Sequence, residues 1–159
     1  MQRRRNLKGL FGETLKDIYF TERQILRALP KMAYQAASPE LKQAFETHRE
    51  ETAGQMERLN QVFKQFGRPA RGKTSEAIIG IIGEAREIMG EFKGAAALDA
   101  GLAASLQTVE HYEIARYGVL KIWARELGLH EAAKLLDETL QEEIKTDQIL
   151  TKLAATLVH

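Results

Sequence analysis

Four stretches of this chain place apolar residues at alternating steps of three and four, and each of these stripes is broken at its middle by carboxylate or amide side chains. Steps of three and four lie on one face of an α-helix. In the first stretch that face reads Phe11, Leu15, Ile18, Glu22, Ile25, Leu29, Met32; in the second it reads Leu41, Ala44, His48, Glu51, Gln55, Leu59, Val62, Phe66. The third gives Ala103, Leu106, Glu110, Glu113, Tyr117, Leu120, Ala124, Leu127, and the fourth gives Leu136, Leu140, Glu143, Asp147, Leu150, Ala154, Leu157. A carboxylate buried without a partner is costly. Helices packed side by side bring their mid-points to one level, so the acids are predicted to meet in a single layer.

The breakers divide the chain accordingly. Ala, Leu, Glu, Lys, Gln and Arg dominate and β-branched runs are scarce, which predicts an all-α protein. The first helix is expected from about Leu7 to Ala36, with a bend near Pro30. Ser38-Pro39-Glu40 restarts the chain as cap, first helical residue and first-turn acid, opening a helix to about Phe66. The segment "GRPARGK" reads as a loop, and Thr74 or Ser75 caps the shorter helix "EAIIGIIGEAREIMGEF". A third long helix is expected from about Ala95 to Leu127, ended by Gly128, and a fourth from Leu129 to about Val158. Two tightly joined pairs with a long connection between them describe a four-helix bundle with one long crossover that carries an additional short helix.

Composition narrows the function classes. With 159 residues, 44% of them hydrophobic and 28% charged, the chain suits one domain over residues 1–159, preceded by a short basic arm at residues 1–6. There is no cysteine, so disulfides, thiolate metal sites and thiol catalysis are excluded, and any metal must take oxygen or nitrogen. The formal net charge is +1, and the one basic cluster is Arg3 to Arg5, so nucleic acid is not an expected partner. No signal-peptide-like apolar run and no uncharged 18-residue segment are present, which predicts a cytoplasmic protein without a membrane span.

The halves of the sequence correspond. Glu22 stands 29 residues before Glu51, and Glu113 stands 30 before Glu143. Glu51 with Gln55 and Glu143 with Asp147 are both i, i+4 pairs, which place two oxygen-bearing side chains on one helix face. Six carboxylates around one point, Glu22, Glu51, Glu110, Glu113, Glu143 and Asp147, repel one another, and no Lys or Arg shares their stripes. Two divalent cations bridged by carboxylates supply the missing charge, and hard oxygen ligands suit iron or manganese. His48 lies on the second stripe and reads first as a hydrogen-bonded histidine in the core or beside the ligands, with ligation as the lesser alternative, whereas His111 points elsewhere. Tyr19 and Tyr117 stand near Glu22 and Glu113 and can donate to them; Trp123 and the apolar crossover helix read as core or dimer interface.

Four longer motifs then carry a resemblance. The stretches "LKDIYFTERQ", "HREETAGQMERLNQ", "VEHYEIARYG" and "AAKLLDETLQEEIKTD" resemble the YciF-like family of the ferritin-like superfamily, small bacterial stress-associated proteins, from about Leu7 to Leu153. The resemblance implies a ferritin-like bundle, a homodimer, and a dinuclear iron or manganese centre held by Glu22, Glu51, Glu110, Glu113, Glu143 and Asp147, with Gln55 as a further ligand. A small oxidant, peroxide or dioxygen, is the implied reactant; the alternative is a non-catalytic structural or partner-binding bundle. One departure stands out: ferritin-like di-iron proteins carry Glu-x-x-His on the second and fourth long helices, but Gly54 follows Glu51 and Thr146 follows Glu143 at that distance.

Overall fold

Short polar caps start three of the helices in this chain, and left-handed glycines stand at the ends of two. In the computed structural model, which describes residues 5–158, the helices are α1 (Leu7–Gln35), α2 (Pro39–Phe66), α3 (Glu76–Glu91), α4 (Leu98–Glu126) and α5 (His130–Ala154). Asn6, Ser38 and Ser75 each accept a hydrogen bond from the backbone N–H three residues on, satisfying donors that a helix start leaves bare. Gly67 at φ 79° closes α2, and Gly128 at φ 75° follows the end of α4, both in the left-handed region that disfavours any Cβ. Helix α1 runs without interruption through Pro30, which lies on its exposed side. Helix α4 starts three residues later than expected, after a turn at Gly94, and α5 ends at Ala154 rather than near Val158. Of the basic arm, residues 1–4 lie outside the described residues.

Each long helix packs against two others, giving a square in the order α1, α2, α5, α4. The carboxylate of Asp99, in the first turn of α4, accepts from the backbone N–H of Ala37 (2.8 Å) and Ser38 (2.7 Å). That ties the start of α4 to the α1–α2 turn, so α2 and α4 run parallel at opposite corners while neighbours run antiparallel. The connection after α2 must therefore travel back along the bundle. It does so beside α1, where Lys73 N–H donates to Lys16 O, and α3 then lies over α1 and α4. A Cβ on Gly101 of α4 would come within 2.7 Å of Ile88 Cγ2, so this glycine permits the approach of α3.

Apolar side chains form two separate cores. One, at the α1–α2 turn, contains Ile25, Leu29, Met32, Leu41, Phe45, Leu102, Leu106, Leu150 and the α3 residues Ile78, Ile82 and Met89. The other, at the opposite end, contains Phe11, Leu15, Ile18, Leu59, Phe63, Leu120, Ala132 and Leu136, with Trp123 packed at its edge. Between them the same four helices bury polar groups.

Two stripes differ in phase from the sequence reading. On α2 the buried positions are Leu41, Phe45, His48, Thr52, Gln55, Leu59, Val62 and Phe63; on α5 they are Ala132, Ala133, Leu136, Thr139, Glu143, Thr146 and Leu150. A regular four-three alternation passes through Thr52 and Thr146 and leaves Glu51 and Asp147 one residue to the side. Both phases satisfy steps of three and four, but Thr52 and Thr146, not Glu51 and Asp147, are the buried side chains.

Candidate metal centre

Glu22 from α1, His48 and Gln55 from α2, Glu110, Glu113 and Tyr117 from α4, and Glu143 from α5 occupy the layer between the cores, all with 0% exposure. His48, Glu110, Glu113 and Glu143 each offer one ligand atom, and those atoms lie within 4.8 Å of one another. His48 Nε2 is 3.0 Å from Glu110 Oε1 and 4.0 Å from Glu113 Oε1, close enough to share an ion but not aligned as a hydrogen bond. Glu22 meets Glu113, and Glu110 meets Glu143, across the layer. Two carboxyl groups in contact can be joined only by a shared proton or a cation. Apart from that, both oxygens of Glu22, Glu110, Glu113 and Glu143, both ring nitrogens of His48, Gln55 Oε1 and the Tyr117 hydroxyl have no hydrogen-bond partner.

Burial dominates the electrostatics. It pushes Glu22 up from 4.5 to about 8, with Glu143 adding repulsion, and Glu110 likewise up to about 8, with Glu22 and Glu51 adding theirs. Glu113 and Glu143 are raised well above the ordinary carboxyl range, again first by burial and then by neighbouring carboxylates. The Tyr117 hydroxyl is held protonated by burial and by Glu22, Glu113 and Glu143. In the absence of a cation this layer favours protons over charge.

The layer thus brings together Glu22, Glu110, Glu113, Glu143 and Gln55. Glu51 is half-buried at its edge, its Oε2 accepting from Thr146 Oγ1 at 3.1 Å, and burial raises it too. Asp147 lies at the rim, where its Oδ1 is 2.8 Å from His111 Nε2 and accepts from Gln107 Nε2 at 2.9 Å. His111 is exposed, as expected, and is the outward partner of Asp147. Tyr117 enters the layer but donates to no carboxylate, and Tyr19 instead packs edge-on against Phe63 beneath the Arg23 guanidinium. The residue whose role sequence reasoning understated is His48. A histidine three residues after Glu51 is lacking, yet one stands three residues before it, on the regular stripe, and that phase was the available signal.

The donor set fits a cation. Orphaned carboxylate oxygens and an unpaired imidazole in a fully buried layer are what a divalent transition ion satisfies, and one nitrogen among hard oxygens suits iron or manganese. The imidazole must be neutral to bind metal, so ion binding and proton release are linked.

The family described as "Domain of unknown function (DUF892)" matches residues 6–159. Protein YciF of Escherichia coli is 42% identical over 156 residues, covering 98% of this chain and 94% of that protein. The crystal structure of this E. coli stress protein superposes with a TM-score of 0.92, covering 97% of this chain and 98% of that one. YcfI from Rhodopseudomonas palustris, described as a proposed structural protein, superposes with a TM-score of 0.90 at 45% identity, covering 92% of this chain and 94% of that one. A protein from Xanthomonas campestris shares the fold alone, at 22% identity and a TM-score of 0.76 over 96% of this chain and 94% of that one.

Proposed function

The chain belongs to the DUF892 family, and from that premise we propose that it is a metal-binding stress protein whose mid-bundle layer holds two divalent transition ions, iron or manganese. The observation that carries this reading is the set of buried carboxylate oxygens and imidazole nitrogens without a partner. Glu22, His48, Glu110, Glu113 and Glu143 are the protein groups that would hold the ions, with Gln55 Oε1 and the half-buried Glu51 beside them. Bound iron would supply redox chemistry toward peroxide or dioxygen. The chain's own part is to exclude water through the two flanking cores, to keep the carboxylates of Glu22 and Glu143 opposed to those of α4, and to hold the Tyr117 proton next to them. A homodimer and a small oxidant belong to the same proposal. No helix among the described residues is long and apolar enough to cross a membrane.

Elemental analysis after reconstitution with ferrous or manganous ion tests the reading. Two ions per chain are expected; protein that retains none above a chelated control sinks it. Mixing the ferrous-loaded protein with hydrogen peroxide or dioxygen in a stopped-flow spectrometer then separates a reactive centre from a structural one.

A second reading is favoured by the raised carboxyls themselves: at neutral pH Glu22 with Glu113 and Glu110 with Glu143 can each share a proton, leaving a structural bundle without metal. Absence of metal together with full stability at pH 7 would select it.

A further inference from the structure

The layer is sealed above and below by apolar cores, so an ion must enter between two helices. Among the described residues, only the α2–α5 seam of the square carries a chain of polar contacts from the surface to a fully buried residue of the layer. On that seam Arg58 Nε lies 3.4 Å from Glu138 Oε2; its Nη1 donates to Glu142 and to Thr139 Oγ1, and its Nη2 donates to Glu142 Oε2 at 3.2 Å. Glu142 Oε1 in turn accepts from Gln55 Nε2 at 3.3 Å. Gln55 is wholly buried, and its own Oε1 has no partner. The polar contacts at the rim of the α4–α5 seam end instead at Asp147, whose partners His111 and Gln107 face outward.

The geometry points to a transit site for divalent cations on this seam, formed by Glu138, Glu142 and the half-buried Glu51, and closed by the Arg58 guanidinium. In the closed form Arg58 spans both acids of α5 and cancels the charge that would draw a cation inward. When it swings out, three carboxylates face the opening, and Gln55 Oε1 is the neutral oxygen that passes an ion on to Glu143. Charge-assisted contacts hold the closed form, so the open form is a minor state and limits the rate of loading. The inference rests on the metal-binding reading given above, and deepens it by naming the way in.

A gate has a kinetic signature: it changes the rates of entry and exit by the same factor and leaves the equilibrium affinity alone. The test mixes metal-free protein with cobaltous ion, follows visible absorbance in a stopped-flow spectrometer, and measures release into excess chelator. Arg58→Ala is expected to load and release cobalt about ten-fold faster than wild type, the worth of one charge-assisted contact, with unchanged stoichiometry and Kd. Thr139→Val removes the neutral contact to Arg58 Nη1, keeps the side-chain shape and all three carboxylates, and is expected to give a smaller acceleration. His111→Ala, on the other seam, is expected to match wild type. Normal stoichiometry with unaltered rates in both seam variants overturns the gate, as does a changed Kd without faster exchange. Failure of wild type and every variant to bind cobalt, iron or manganese overturns the metal-binding reading itself.

Discussion

Between Phe45 and His48 on α2, a single helical turn crosses from one physical regime to another. Phe45 sits in a core where nothing titrates; His48 sits in a layer where three carboxyls crowd one imidazole. The two apolar cores owe their stability to area removed from water and to close packing, which are indifferent to pH and to solutes. The layer does the reverse: its groups are unpaired until protons or cations arrive. The cores hold the bundle together so that the layer can stay poorly satisfied, a division expected where a fold sets stability aside at a functional site.

The largest expected effect separates the regimes by pH. In the metal-free protein Glu22 and Glu110 titrate near 8 when folded and near 4.5 when unfolded, so between those values the folded state holds more protons. Stability therefore falls as pH rises through that window and is restored below 4.5, by about 1.4 kcal/mol per pH unit for each extra proton held. From pH 5 to pH 8 that amounts to about 4 kcal/mol per net proton, a large share of the roughly 5–15 kcal/mol that a domain possesses. Urea denaturation of chelated protein at both pH values measures it. A flat profile would show that the layer behaves like the cores.

Much of this contrast is legible in the sequence. The all-α bundle, the caps at Ser38 and Ser75, the stop at Gly128 and the crossover helix follow from local chemistry that tertiary packing does not overrule. The convergence of Glu22, Glu110, Glu113 and Glu143 follows from the broken stripes. What the pattern leaves open is phase: two stripes one residue apart each satisfy steps of three and four, and only the packing of Thr52 and Thr146 against their neighbours decides between them. His48 gains its prominence, and Glu51 and Asp147 move outward, by that one-residue choice. The Arg58 network is also hidden in sequence, because Arg58 and Glu142 lie 84 residues apart and look like solvated charges.

The next effect is a control within the core. Phe45→Ala leaves a cavity in a packed, uncharged region and is expected to cost about 3–5 kcal/mol, the same at pH 5 and pH 8 and the same with or without metal. A cost that changed with pH would mean that the core and the layer are coupled, and would break the separation drawn above.

Glu110→Gln works in the opposite sense. In metal-free protein at pH 8 it removes one buried charge while keeping the shape, and is expected to stabilise by about 1–3 kcal/mol, while lowering metal stoichiometry or affinity when ions are supplied. Stability measured by urea and metal content measured on the same preparation sharpen the comparison, because a destabilising outcome at pH 8 would show that Glu110 is held ionised by His48 rather than burdened by burial.

The smallest expected effect lies at the rim. Asp147 faces His111 and Gln107 at the surface, with a quarter of its side chain exposed, so its contacts are those of a partly solvated pair. Asp147→Asn keeps the volume, allows a hydrogen bond to Gln107 and removes one charge, and should change stability by no more than about 0.5 kcal/mol. It should also leave the number of bound ions unaltered and shift metal affinity less than three-fold, whereas loss of a ligand or of the group that orients one typically costs about 10–100-fold. Isothermal titration of wild type and variant with manganous ion decides the matter. A drop of the larger size would mean that Asp147 turns inward when metal is present, carrying the layer out to the rim and replacing the one-residue offset on α5 with the other phase.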